Sequence, residues 1–303
     1  MIAIIAALLP VFLLIATGYG LKQAKFPGDD LWPPLERLVY FILFPSLLGS
    51  NLAKAELEGF EILPLAGVII GALVVMGLLT LAMRRRFGQG PALTSVFQGT
   101  VRFNSYVGLA IASSLWGAAG NALGAVVVAI MVPLTNALCV YVLARFTGLH
   151  PPGAKAVLIM MARNPLIIAC LVGFILNYTG IGLPPIIGPV VEILAHAALP
   201  IGILCVGAGL DLKVLRTAGR RVTEASLLSL IGMPLIMYGL CILFGVSGLT
   251  AKVVILMGAL PTASSSFILA RQMGGDVSLM AGIITASTLI AMVSMPLLLP
   301  LLW

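Results

Sequence analysis

The sequence predicts an all-α integral membrane protein of ten transmembrane helices, laid out as an inverted five-plus-five repeat with helices four and nine broken. Three observations predict it. Of 303 residues, 61% are hydrophobic and only 9% charged, whereas a soluble domain carries about 25% charged residues to cover its surface. Uncharged stretches recur from end to end, several at the length of about 20 residues that one bilayer crossing needs. The basic residues then sort to one side of a ten-span layout, as positive-inside topology requires.

The spans are placed at 1–22, 31–53, 61–83, 91–115, 121–146, 164–180, 185–210, 222–246, 250–271 and 277–302. Residues 1–21 have neither a basic start nor a small-residue cleavage site, so they read as the first span and not as a signal peptide. The second span contains the uncharged run 38–53, and the third the run 62–83 before Arg84-Arg85-Arg86. The run 103–144 is too long for one helix. Gly117-Ala118-Ala119-Gly120-Asn121 supplies a turn that ends span four and starts span five. Residues 153–163 form an interfacial lead-in to span six, which opens at Asn164-Pro165. Span seven closes at Gly207-Ala208-Gly209-Leu210. The eighth follows Arg220-Arg221, the ninth stops at Arg271 and the tenth follows Gly274-Gly275-Asp276.

Lys22, Lys25, Arg84, Arg85, Arg86, Arg145, Lys155, Lys213, Arg216, Arg220, Arg221 and Arg271 fall on one side, against only Lys54 and Lys252 on the other. Arg37, Arg102 and Arg163 lie in or beside spans. With an even number of spans, both termini are expected on the outer, periplasmic face of a bacterial inner membrane. The net charge of +7 then belongs to topology and anionic lipid headgroups, which leaves nucleic acid unsupported as a partner. The cysteines (139, 170, 205 and 241) lie 31, 35 and 36 residues apart in apolar stretches, with neither metal-site nor disulfide spacing. No metal or cofactor is expected. With two histidines and no intramembrane carboxylate pair at ligand spacing, the chain does not read as an enzyme. It carries no glycine-rich nucleotide loop with lysine to drive transport by ATP.

An offset of 155 residues superposes Pro10 on Pro165, Gly18 on Gly173, Pro34 on Pro189 and Pro45 on Pro200. Five helices separate the copies, and an odd number reverses the second copy across the membrane. The repeats are expected at 1–148 and 151–303, joined near Thr147-Gly148-Leu149-His150-Pro151-Pro152. Secondary transporters use this plan, placing the substrate near midplane where one helix of each repeat is broken. Span four carries the polar insertion Arg102-Phe103-Asn104-Ser105-Tyr106-Val107-Gly108. Span nine carries Gly258-Ala259-Leu260-Pro261-Thr262-Ala263-Ser264-Ser265-Ser266. Proline removes a backbone hydrogen bond and clashes with the preceding turn. Non-helical backbone survives in lipid only where it is buried or faces water, and an opened helix presents amides that attract anions.

These segments resemble the auxin efflux carrier family, which includes bacterial permeases and plant auxin carriers. The likeness rests on Arg102-Phe103-Asn104-Ser105-Tyr106-Val107-Gly108-Leu109, on Leu260-Pro261-Thr262-Ala263 through Phe267-Ile268-Leu269-Ala270, on Gly274-Gly275-Asp276 and on Ser287-Thr288-Leu289. The Asn164-Pro165 start and the Gly207-Ala208-Gly209-Leu210 end fit as well. The resemblance implies that helices four and nine cross, that the protein is a homodimer, and that it carries small organic anions. It also implies that Asn104 and Pro261 are the family's asparagine and proline at the two breaks. Where the family carries proline shortly after the helix-four glycine, this chain has Ala110.

The candidate substrate-binding residues are Arg102, Asn104, Ser105, Pro261, Thr262, Ser264 and Ser265. Arg102 reads either as a counter-charge for a substrate carboxylate or as a donor to carbonyls freed by the break; arginine at midplane costs about 2.5–3.5 kcal/mol even on the gentler insertion scale. Asn104 is a site residue or a cap of the broken helix. Glu192 and His196, spaced i and i+4, form a candidate proton relay or an interfacial pair. Arg163 is expected at the headgroups, Gly67 and Gly71 at a helix contact, and Asn51, Asn136 and Asn177 as polar glue. The expected function is a secondary transporter of small organic anions working by alternating access. A sodium-coupled symporter resembling the bile-acid carriers is the alternative, and a non-transporting membrane receptor a further one.

Overall fold

The computed structural model describes residues 2–55, 62–148, 153–217 and 219–303, and among them regular structure is helical with no strand. The first half contains α1 (Ile2–Gln23), α2 (Trp32–Leu38), α3 (Phe44–Ala53), α4 (Ile62–Ala82), α5 (Arg84–Phe87), α6 (Pro91–Val101) and α7 (Ser105–Phe146). The second contains α8 (Ala154–Ala162), α9 (Pro165–Tyr178), α10 (Ile187–Ala208), α11 (Arg220–Leu227), α12 (Met233–Phe244), α13 (Gly248–Gly258), α14 (Ser265–Gln272) and α15 (Val277–Leu302). Six helical stretches among the described residues are long and apolar enough to cross a membrane. Helices suit this setting because they satisfy every backbone hydrogen bond within the segment.

Proline explains the two irregular helices. The π-turns Val39–Leu43, between α2 and α3, and Leu228–Gly232, between α11 and α12, each run to within two residues of a proline, Pro45 and Pro234. Proline offers no N–H to the carbonyl four residues back, and the wider turn re-pairs the backbone at the i→i−5 spacing: Phe44 donates to Val39 and Met233 to Leu228. A different residue divides α7. Gly117 has φ 55° and ψ −135°, a non-helical conformation open to glycine, and it stands where the turn between spans four and five was expected. The lead-in before Asn164 is the short helix α8, and the Asn164 side chain caps α9 by accepting from Leu166 N–H at 2.9 Å.

Glycines decide how closely the helices approach. A Cβ at Gly18 would lie 2.1 Å from the Leu204 carbonyl oxygen, and one at Gly207 would lie 2.0 Å from that of Ile15, so α1 and α10 touch backbone to backbone. One at Gly173 would lie 2.5 Å from the Gly49 carbonyl oxygen, which brings α9 equally close to α3. Small residues are the usual means of close packing in membranes, where lipid supplies little drive to separate helices from it. Gly67 and Gly71 receive Phe244 and Leu240 of α12 in the same manner. Asn177 donates to the carbonyls of Ala53 and Ala55, tying α9 to the end of α3.

Large apolar side chains remain outside this core, among them Leu63, Ile70 and Leu78 of α4, Leu171 and Ile175 of α9, and Ile242 of α12. Water would penalise such a surface and lipid accommodates it. The protein is a multi-pass membrane protein. Glu224 accepts from both Arg86 and Arg220, joining α5 to the start of α11, while Lys54 pairs with Glu192 between the end of α3 and the first turns of α10. The cysteines are free and buried.

Candidate functional site

α6 stops at Val101 and α7 starts at Ser105, with Arg102 and Asn104 extended between them. α13 stops at Gly258 and α14 starts at Ser265, leaving Pro261 in the gap. The two gaps lie against each other. The Asn104 N–H donates to the Pro261 carbonyl at 2.8 Å. The Thr262 hydroxyl donates to the Gly99 carbonyl at 2.8 Å, and the Thr262 N–H donates to Ser287 Oγ at 3.2 Å. The Arg102 guanidinium donates to Ser265 Oγ at 3.1 Å. Each unwound strand thereby supplies the partners that the other's missing helical turns would have supplied, which unwound backbone requires at membrane depth.

A cavity of about 60 Å³ opens at this junction. Arg102, Asn104, Ser105, Ser264 and Ser265 line it. Asn104 is 2% exposed; its Oδ1 caps α7 by accepting from Val107 N–H at 3.3 Å, and its Nδ2 finds no protein acceptor among the described residues. Asn104 is thus both cap and cavity wall. Pro261 and Thr262 are buried behind the lining, where they hold the two breaks together. α7 begins at this cavity, with Ser105 and Tyr106 of its first turn in the wall, and a helix amino terminus favours negative charge nearby.

The wall also includes residues outside the sequence-based candidates, among them Glu36 and Tyr40 from α2 and its π-turn, and Tyr106 and Asn136 from α7. Glu36 precedes Arg37 at the edge of an uncharged run and so reads as a headgroup residue, but the helix faces it inward. A second cavity of about 450 Å³ shares Glu36 and Ser264 with the first and extends to Lys22, Asp211 and Lys213, at the end rich in basic residues. A third, of about 500 Å³, lies between α1, α3, α7 and α10 and is lined by Lys54, Glu192 and His196. The Glu192 carboxylate is paired with Lys54, while His196 is exposed one turn along.

The first and third cavities are neighbours on α7, with Tyr106 in the wall of one and Ala110, one turn later, in the wall of the other. Tyr106 meets Phe44 edge-on at 4.6 Å and lies over Gly202, where an added Cβ would stand 3.1 Å from the ring. This aromatic pair, seated on a glycine, is part of the wall of the first cavity.

A family model described as membrane transport protein matches residues 153–299. An uncharacterized transporter of Methanothermobacter thermautotrophicus is 28% identical over 295 residues, 95% of each chain. A second uncharacterized transporter, from Methanocaldococcus jannaschii, is 23% identical over 292 residues, 92% of each chain. The ileal sodium/bile acid cotransporter of Oryctolagus cuniculus is 42% identical over 65 residues, which are 22% of this chain and 19% of that protein.

Proposed function

Since the chain belongs to the membrane transport family of the auxin efflux carriers, we propose that it is a secondary carrier of small organic anions, working by alternating access. The family is one of transporters and not of enzymes. The observation that carries the substrate class is the unwound pair, which places a half-buried guanidinium with no carboxylate partner among the described residues beside the Asn104 amide at a small cavity. A carboxylate there gains a charge-assisted hydrogen bond and the field of a helix amino terminus.

The architecture proposed is ten spans in two inverted repeats, with α6–α7 and α13–α14 as the crossing, broken helices. Internal symmetry supports it. Shifted by 155 residues, Trp32–Ala53 coincides with Ile187–Ala208. The same shift turns the contact of Gly18 with Leu204 into that of Gly173 with Gly49. α1 packs on α10 as α9 packs on α3, the exchange expected of a pseudo-two-fold axis. The cavity on the basic side and the cavity at Lys54 are the two vestibules, and Tyr106 with Phe44 is the barrier between them. In the membrane of the cell, both termini face outward and the carrier works as a homodimer.

Screening mono- and dicarboxylates by thermal shift tests the reading: a ligand at a hundred times its Kd stabilises by about 2.7 kcal/mol, and Arg102→Gln should remove that gain. The absence of any stabilising carboxylate contradicts the proposal. Sodium coupling is the second reading, favoured by the short match to the sodium/bile acid cotransporter. Repeating the screen with sodium replaced by potassium separates the two, since a coupled ion changes the apparent affinity for the anion.

A further inference from the structure

The cavity at the helix breaks is lined by two opposite charges that do not meet. Arg102 donates to a serine hydroxyl and has no carboxylate partner among the described residues. Glu36, which lines the same cavity, has no hydrogen bond and no ion pair among them: the four ion pairs involve other carboxylates. The basic side chains around the adjoining cavity do not neutralise it. Lys22 is paired with Asp29 at 3.0 Å, and Lys213 does not pair with Glu36. The titratable groups around Glu36 are Tyr40 one turn along its helix, Tyr106 on α7, Cys205 on α10, and Lys22, Asp211 and Lys213 at the cavity mouth. Phenol and thiol groups carry no positive charge to offer a carboxylate.

An unpaired charge in a partly desolvated site is costly, and each of the two gains from a partner that reaches it directly. A simple monocarboxylate would relieve Arg102 and aggravate Glu36, because like charges in low dielectric repel strongly. A ligand carrying both signs relieves both. We infer that the transported carboxylates are small zwitterions, with the carboxylate on Arg102 and Asn104 and the ammonium on Glu36. The inference rests on the carboxylate site of the reading above and puts amino-acid-like zwitterions, not net anions, in it. Glu36 becomes the specificity residue, and its place on the shared wall of the two cavities lets it meet the ammonium before the carboxylate reaches Arg102.

The test compares alanine with propionate, which has the same carbon chain without the ammonium, on the purified full-length protein by calorimetry. The parent is expected to bind alanine about ten- to a hundredfold more tightly than propionate, the range for one charge-assisted contact. Glu36→Gln should erase that preference and improve propionate. Glu36→Asp, which keeps the charge on a shorter arm, should retain a preference for the zwitterion and shift it from alanine toward β-alanine, covering the case in which glutamine fails to fold. A parent that binds propionate or succinate but neither zwitterion overturns the inference while leaving the anion reading intact. Propionate binding that strengthens on acidification in the parent and not in Glu36→Gln also overturns it, since Glu36 then holds a proton and not an ammonium. If no carboxylate of either kind binds parent or variants, the anion reading falls and this inference with it.

Discussion

Replacing Arg102 by glutamine separates a substrate counter-charge from a structural arginine. In the structure the guanidinium is half-buried, donates once to Ser265 Oγ at 3.1 Å and lines the cavity at the breaks. Glutamine keeps a donor and much of the reach, so the Ser265 contact can be replaced and the lost quantity is mainly charge. A hydrogen bond to a charged group contributes about 1.5–3 kcal/mol, and every 1.4 kcal/mol or so is tenfold in Kd. The expected loss in carboxylate affinity is therefore about tenfold to a hundredfold. Arg163→Gln is the control: Arg163 is exposed at the end of α8, where water and salt screen it, and its removal should change affinity less than twofold or so. Calorimetry on both variants, after each is shown to be monodisperse, reads the difference with alanine, propionate and succinate as probes. Parent-like affinity in Arg102→Gln, or equal losses in the two variants, refutes the reasoning and leaves Arg102 as a brace between the two unwound segments.

Thr262→Val removes the hydroxyl that satisfies the Gly99 carbonyl and should lower stability by about 1–3 kcal/mol, read as a lower Tm. The side chain is 0% exposed and absent from the cavity lining, so affinity per folded molecule should hold. Gly18→Ala should cost about 1–3 kcal/mol by forcing α1 from α10. Gly20→Ala, on the same helix with nothing within 4 Å of the added carbon, should hold the Tm or raise it slightly, alanine being the better helix former. Pro261→Ala should retain the fold and lose transport, because alanine restores a donor that lets the ladder close across the break; wild-type flux in this variant would show the proline to be dispensable. Lys54→Gln should cost no more than about 1 kcal/mol, the pair with Glu192 being solvent-exposed, and raised salt should erase the difference.

The helices were legible because lipid imposes one rule on every span and charge marks where each stops. Arg84-Arg85-Arg86, Arg145 and Arg220-Arg221 fall at helix ends, and Gly117 is the one residue whose backbone leaves the helical region inside α7. Both breaks were legible for the same reason, since Pro261 and a polar insertion within apolar runs have few other uses. Contacts between distant segments were not. Nothing local says that Asn104 reaches Pro261, that Thr262 turns inward to Gly99, or that the glycine aligned by the repeat meets the backbone at Leu204. Glu36 was hidden by its neighbour: beside Arg37 at the edge of an apolar run it has the signature of a headgroup residue, and only the packed structure shows that it lines a cavity. The pairing of Glu192 with Lys54 joins residues 138 positions apart, beyond any spacing rule for one helix.

Flux in proteoliposomes tests the central claim most directly. With alanine, propionate or succinate radiolabelled outside and the same unlabelled compound inside, the carrier reading predicts saturable counterflow that Arg102→Gln reduces and Arg163→Gln spares. Counterflow no greater than in protein-free vesicles, for every anion that stabilises the purified protein, would contradict it and make the site a receptor's binding pocket.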